Sequence, residues 1–298
     1  MSPRFSIIIP HHDSPNLLMR CLGSIPICED IQVIVVDDNS LDADSYLERY
    51  PQLSRPYLEF IRAPRNGGAG YVRNIGLRHA TGKWLLFADA DDFFADGMYD
   101  LILSKEASDA DIVFFRNKGV LSEDIHYETQ RDQYLNEIID VFIQTGDEWP
   151  VRARHFVPWA KMIKRDLVIK YNILFDETKY SNDCFFSICS GYYARTIEAV
   201  NIILYNKTYR SGTLTADFCK KPDELLIRAE VAFRVDKFLL QHNSCRKRLF
   251  PGFLWTIMKT DKSLFKHYFN GRIRELYPSK IAAIIDLING RFHHFSIY

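Results

Sequence analysis

The hydrophobic pattern changes once along the chain. Up to about residue 215, short near-continuous apolar runs alternate with stretches whose apolar residues recur every three or four positions; beyond it only the second pattern remains. Residues 5–9, with Ile7, Ile8 and Ile9 stopped by Pro10, read as a strand covered on both faces, and so do 31–36, 57–62 and 84–88. Ser14 followed by Pro15 marks a helix start, with Leu17, Leu18, Cys21 and Leu22 as its apolar stripe. Further helices are predicted over 42–50, 71–80, 98–107, 133–144 and 183–193, with Gly82 ending the helix 71–80 as a C′ glycine. Further strands are predicted over 111–115 and 197–205, and 64–70 reads as a loop rich in Gly and Asn. Residues 222–241 are amphipathic, with Leu225, Leu226, Ala229, Ala232, Phe233 and Leu239 near one face. Strand–helix alternation with short connections predicts an α/β fold with a doubly wound, mostly parallel sheet over residues 1–216, followed by a helical region over 217–298. In such sheets ligands bind beyond the carboxyl ends of the strands.

Composition narrows the function classes. With 298 residues, 47% hydrophobic and 26% charged, the chain is that of an ordinary globular protein. Its formal net charge is zero, which gives no reason to expect a nucleic-acid partner. Six cysteines without C-x-x-C or zinc-site spacing, and no secretion signal ahead of Phe5, predict reduced thiols and a cytoplasmic location. No apolar run reaches membrane-spanning length; the run 281–288 is interrupted by Asp286.

Acidic residues gather where the predicted strands end: Asp13 after the first, Asp37 and Asp38 after the second, and Asp89, Asp91 and Asp92 after the fourth. Three carboxylates within four residues repel one another, and a compensating cation is expected; oxygen-only ligands favour Mg²⁺ or Mn²⁺. Such an arrangement suits a nucleotide diphosphate, whose leaving charge the ion stabilises. Asp38 can accept from the imide N–H of a pyrimidine, although a helix cap or turn would use the same Asp-Asn-Ser sequence. The loop Asn66-Gly67-Gly68-Ala69-Gly70 before Arg73 allows close backbone approach at a helix N-terminus, where anions are favoured. Arg73 is equally placed to pair with Asp37 or Asp89 as to contact a ligand.

Ser6 to Pro10, Val35-Val36-Asp37-Asp38-Asn39-Ser40, Asn66-Gly67-Gly68 with Arg73-Asn74-Ile75-Gly76-Leu77, and Phe87-Ala88-Asp89-Ala90-Asp91-Asp92 occur in the order and spacing in which this sequence resembles the family 2 glycosyltransferases of the GT-A fold. The resemblance continues through Trp159-Ala160-Lys161, Ser181-Asn182-Asp183 and Ser211-Gly212-Thr213-Leu214-Thr215. It implies transfer of a sugar from a nucleotide sugar, often UDP-linked, to an acceptor hydroxyl with inversion. Pro10 would touch the base, Asp38 would hold the uracil ring, Asp89 would contact the ribose or the metal, and Asp91 would ligate the metal. Asp183 matches the general base, in a motif where Glu-Asp is usual and this chain has Asn182-Asp183. His12 and Asp13 stand where the family often has an aromatic and an Asn, so the base contact is expected to differ. Ala90 and Asn66 complete the expected nucleotide-sugar site, and Trp159, Lys161 and Asn182 the expected acceptor or sugar pocket.

The acceptor is expected to be a glycan or a lipid-linked precursor. A nucleotidyltransferase on a similar sheet, or a module that binds a nucleotide sugar without turnover, are the alternatives; the first is disfavoured because 10–13 contains neither glycine nor a basic cluster. From Arg246 to Tyr298, ten Lys and Arg face three Asp and Glu, interleaved with Phe250, Phe253, Trp255, Phe265, Tyr268, Phe269, Phe292 and Phe295. That region suits either a peripheral contact with the inner face of a membrane or aromatic packing on the first domain or in a homo-oligomer, with packing favoured.

Overall fold

A computed structural model describes residues 2–210, 222–246 and 248–290. The four leading apolar runs become strands linked by helices: β1 (Phe5–His11), α1 (Pro15–Gly23), β2 (Ile31–Asp37), α2 (Ala43–Arg49), β3 (Leu58–Arg62), α3 (Gly68–His79) and β4 (Trp84–Phe87). Then follow β5 (Phe93–Phe94), α4 (Met98–Ser104), β6 (Ile112–Leu121), β7 (Glu128–Thr129), α5 (Gln133–Thr145), α6 (Trp149–Arg154), β8 (Lys161–Lys164), α7 (Arg165–Lys170), α8 (Cys184–Tyr193) and β9 (Ile197–Tyr209). Among the described residues these strands form one sheet in the order β3-β2-β1-β4-β8-β6-β9-β5, with β7 beside β6. Strands β1 to β4 are mutually parallel, in the 3-2-1-4 order of a nucleotide-binding half. Strand β8 runs antiparallel to β4 and β6 and β5 antiparallel to β9, so the sheet is mixed beyond β4.

Pro10 does not stop β1, which continues to His11 opposite Asp37. Its missing N–H faces the β4 side, where the last bonds are made by Ile8; His11 turns its carbonyl the other way and accepts from Asp38 N–H at 2.7 Å. Gly82 does not close α3 either. That helix ends at Ala80 in extended backbone, and a Cβ on Gly82 would lie 2.6 Å from the Phe5 carbonyl carbon. Its value is the close crossing of the β4 entry over β1.

The helical region consists of α9 (Pro222–Gln241), α10 (Phe250–Thr260), α11 (Lys262–Leu276) and α12 (Lys280–Gly290). The predicted boundary near 216 and the motif 211–215 lie outside the described residues. Helix α9 buries two faces. Leu225, Ala229, Ala232 and Phe233 pack with α10 to α12, whereas Val231, Val235 and Leu239 pack on Ala153 and Phe156, at the end of α6, and on Ile188 of α8. Asp236, buried, caps α10 by accepting from Leu249 N–H (2.8 Å) and Phe250 N–H (2.8 Å). Among the described residues no helix is long and apolar enough to cross a membrane.

Candidate active site

The carboxyl ends of β1, β2 and β4 and the N-terminus of α8 meet at one cavity of about 470 Å³, a size suited to a small-molecule ligand. Asp38, Asp89, Asp91 and Asp183 line it, with Pro10, His12, Ala90, Arg73 and Asn182. Asp13 and Asn66 are not among the lining residues. Asp13, with φ at +44°, accepts from Leu41 N–H (3.2 Å), and the Asn66 amide nitrogen sits 3.3 Å from His12 Nε2; both brace the loop that carries His12. Trp159 and Lys161, expected in the acceptor pocket, are buried behind the site instead. Trp159 stacks on Tyr205 with ring centroids 5.1 Å apart. Lys161 donates to the His155 carbonyl at 3.1 Å, and burial pushes its ammonium down to about 7.

His11, in the cavity wall, and Asp37 fix the β1–β2 edge. Ser14 N–H donates to His11 Nε2 (3.2 Å), which leaves the proton on Nδ1 to be donated to Asp37 (2.8 Å). Burial raises the Asp37 carboxyl, but the bonds from His11 and from the Ser40 hydroxyl and N–H outweigh it and hold it below the ordinary carboxylate range. Asp38 has a different task. One oxygen accepts from Gly67 N–H (2.7 Å) and the other from Gly68 N–H (2.8 Å). Those amides open α3, so Asp38 itself takes the anion position at that helix terminus. The glycine that allows close approach is Gly70, and what approaches is the protein's own backbone: a Cβ there would lie 1.8 Å from the Asp176 carbonyl oxygen. Gly70→Ala is therefore expected to cost about 1–3 kcal/mol of stability, seen as a lowered melting temperature; a variant that melts with the parent would show that the 176–182 loop moves aside freely.

The acidic cluster is neutralised largely from within the chain. Arg73 donates to Asp89 Oδ1 (2.5 Å) and to Asn182 Oδ1 (2.7 Å), joining the β4 terminus to the loop before α8. Lys207 Nζ, from β9, lies 3.1 Å from Asp92 and 3.6 Å from Asp89. Asp92 is fully buried and also accepts from the Tyr205 hydroxyl (2.8 Å) and Thr208 N–H (2.7 Å). Asp89 N–H donates to the same Tyr205 hydroxyl at 2.9 Å, so Trp159 steadies the cluster through the ring it stacks on. Burial raises the Asp92 carboxyl to about 7 against the opposing Lys207. Asp91 differs: its carbonyl accepts from Arg20 (2.6 Å) and Thr208 Oγ1 (2.6 Å), but its carboxylate makes no hydrogen bond or ion pair among the described residues. Carboxylate oxygens of Asp89, Asp91 and Asp92 lie within 4.8 Å of one another. This all-oxygen set, with Asp91 unspent, fits a hard divalent cation.

Asp183 sits at the N-cap of α8, yet its side chain caps nothing and makes no ion pair among the described residues. Burial pushes its carboxyl above the ordinary range; Arg73 opposes this and Asp89 adds to it. Beside it, Arg228 of α9 lines the cavity, donates to Ser181 Oγ (2.8 Å) and pairs with Glu224 (2.9 Å). The helical region thus supplies part of the site wall. Lys207 and Arg228 were not anticipated from sequence. Arg228 left a trace, since it falls on the apolar face defined by Leu225 and Ala229; Lys207 left none.

The sequence model of the family described as Glycosyl transferase family 2 matches residues 6–171. EpsH of Bacillus subtilis is 23% identical over 74% of this chain and 65% of its own length, so the match covers less than two thirds of that protein. The glycosyltransferase GlyG of Streptococcus pneumoniae is 24% identical over 72% of this chain and 73% of that one. Among solved structures, S. aureus TarS 1-349, crystallised with UDP-GlcNAc, superposes with a TM-score of 0.67 at 18% identity, over 96% of this chain and 89% of that one. That likeness shows the GT-A fold that the motifs led us to expect. Matched by the family model over more than half of its length, the chain belongs to glycosyl transferase family 2.

Proposed function

We propose that this protein is a metal-dependent inverting glycosyltransferase that moves a sugar from a UDP-sugar to a hydroxyl of a glycan or lipid-linked acceptor. The observation that carries this reading is the unspent carboxylate of Asp183, in the same cavity as Asp38, Asp89 and Asp91. Inverting displacement needs one carboxylate to take the acceptor proton, and no second nucleophilic carboxylate. Asp183 is that base, raised in basicity by burial and held in place by the loop that Arg73 and Arg228 brace through Asn182 and Ser181. Pro10, His12 and Asp38 form the base side of the pocket. Asp91, with Asp89, would hold Mn²⁺ or Mg²⁺, which supplies charge stabilisation for the departing diphosphate. Lys207 and Arg73 keep Asp89 in place for that task. A uridine donor is supported by the UDP-GlcNAc complex of TarS, and a divalent ion by the structure of PcManGT from Pyrobaculum calidifontis with GDP-Man and Mn²⁺ (TM-score 0.54). A polymer acceptor is supported by a relative described as a poly(ribitol-phosphate) beta-glucosyltransferase, 29% identical over 39% of this chain.

The test is release of UDP from a panel of UDP-sugars, with and without acceptor glycans, in Mn²⁺ and in chelator. Acceptor-dependent, metal-dependent release is expected, and Asp91→Ala is expected to abolish the metal-dependent part while melting like the parent. Full activity in Asp91→Ala would refute the metal assignment. Pyrophosphate formed from a nucleoside triphosphate would make the protein a nucleotidyltransferase. A thermal shift with UDP-sugar but no turnover would make it a binding module.

A further inference from the structure

Among the described residues, the aromatic side chains of the basic C-terminal region named above are turned inward. Phe250 and Phe253 are buried in the core that α9 to α12 share, and Trp255, Phe265, Tyr268 and Phe269 pack against it. The apolar surface lies elsewhere. On α12, Ile281, Ile284, Ile285 and Ile288 are exposed, Ile281 at 71% and Ile285 at 55%. Their spacing of three and four places them on one side of the helix. The opposite side is fixed inward: Ala283 is buried in the helical core, and Asp286 is held by Arg248 (2.9 Å) and the Tyr277 hydroxyl (2.7 Å).

Positive charge in this region exceeds negative. From Arg246 to Tyr298 the sequence carries a surplus of seven positive charges, of which Arg246 and Arg272 are met by Asp147 and Glu230 from outside that range. Its three acids are all engaged: Asp261 caps α11, Glu275 pairs with Lys237 and Arg272, and Asp286 with Arg248. Lys262, Lys266, Arg274 and Lys280 are exposed and have no carboxylate partner among the described residues.

We propose that α12 lies in the surface of an anionic phospholipid bilayer, with the isoleucine stripe at the acyl-chain boundary and the unpaired Lys280 of α12 and Lys262, Lys266 and Arg274 of α11 drawn to headgroup phosphates. A second copy of the chain is the poorer occupant, because face-to-face pairing of two such regions opposes like charges. This is an interfacial contact and does not depend on the transferase reading.

The full chain is sedimented with vesicles of phosphatidylcholine alone or mixed with phosphatidylglycerol. Binding is expected only to the mixed vesicles, and it is expected to weaken as salt shortens the Debye length from about 10 Å at 0.1 M to about 3 Å at 1 M. Ile281→Ser with Ile285→Ser, both at exposed positions, is expected to reduce partitioning on the order of 10-fold, as is Lys262→Gln with Lys266→Gln and Lys280→Gln. Should the serine variant fail to melt with the parent, the glutamine variant carries the test. Absence of binding to mixed vesicles, or binding indifferent to salt and to the variants, overturns the proposal. So does a dimer in analytical ultracentrifugation that the serine variant splits.

Discussion

Replacing Asp183 by Asn is expected to lower kcat by about 10²–10⁴-fold, the usual contribution of a positioned general base, while the donor still shifts the melting temperature as in the parent. The amide keeps the size and the N-cap position but cannot accept a proton. Asp183 makes no cap bond and no ion pair among the described residues, although its charge opposes the desolvation of the buried Lys161. The pH profile provides the second readout. Burial raises the Asp183 carboxyl, with Arg73 opposing and Asp89 reinforcing. A raised value means that the residue holds its proton at pH values where an ordinary aspartate is already ionised. Only the ionised form accepts the acceptor's proton, so kcat/KM is expected to fall as pH drops through a value above the ordinary ~3.9. The residual activity of Asp183→Asn is expected to lack that acid limb. A variant with parental kcat, or a parent profile flat down to the ordinary aspartate range, would remove Asp183 from the role.

The sequence made the sheet readable because each leading strand is a continuous apolar run between turn residues, which is what burial on both faces requires. The order β3-β2-β1-β4 comes from the pairing in the structure, since short connections imply alternation but not that β4 returns beside β1. The mixed half was less readable. Strand β8 begins at Lys161, a charged residue buried in the sheet, and a polar entry of that kind hides a strand from any hydrophobic pattern. Of the acids, position could be inferred but employment could not. Asp37, Asp38, Asp89 and Asp91 all follow strands, yet Asp37 is consumed by His11 and Ser40, Asp38 by the amides of α3, and Asp89 by Arg73. Only the packed structure leaves Asp91 and Asp183 with unspent oxygens. Trp159 shows the converse limit. An aromatic can face a ligand or support the residue that does, a choice no sequence pattern makes; Trp159 is buried and stacks on Tyr205, whose hydroxyl bonds Asp92.

The acids of β4 are expected to need compensating positive charge. For Asp92 the chain itself supplies Lys207 from more than a hundred residues downstream, too far in sequence for spacing to mark it, while Asp91 keeps its carboxylate for a cation. That assignment has a large consequence for stability. Lys207→Met keeps the length and the apolar stem but leaves Asp92, fully buried, beside Asp89 and Asp91 without its counter-charge. Breaking a buried pair in this way costs about 3–5 kcal/mol, and a loss of that size lowers the melting temperature by roughly 10 °C. The pH dependence identifies the cause. Burial already raises the Asp92 carboxyl to about 7 in the parent, where Lys207 pulls it down; without the lysine it rises further. A carboxyl whose native value exceeds its unfolded value binds more protons folded than unfolded, so stability falls as pH rises between the two values. In Lys207→Met that window extends further upward. The deficit relative to the parent is therefore expected to be largest above pH 7 and to shrink as acid protonates Asp92 in both proteins. Denaturant titrations of the two proteins across pH 5 to 9 measure it directly. A deficit that stays constant over that range would trace the loss to the fit of the methionine end group and leave Asp92 neutral in the parent, needing no counter-charge.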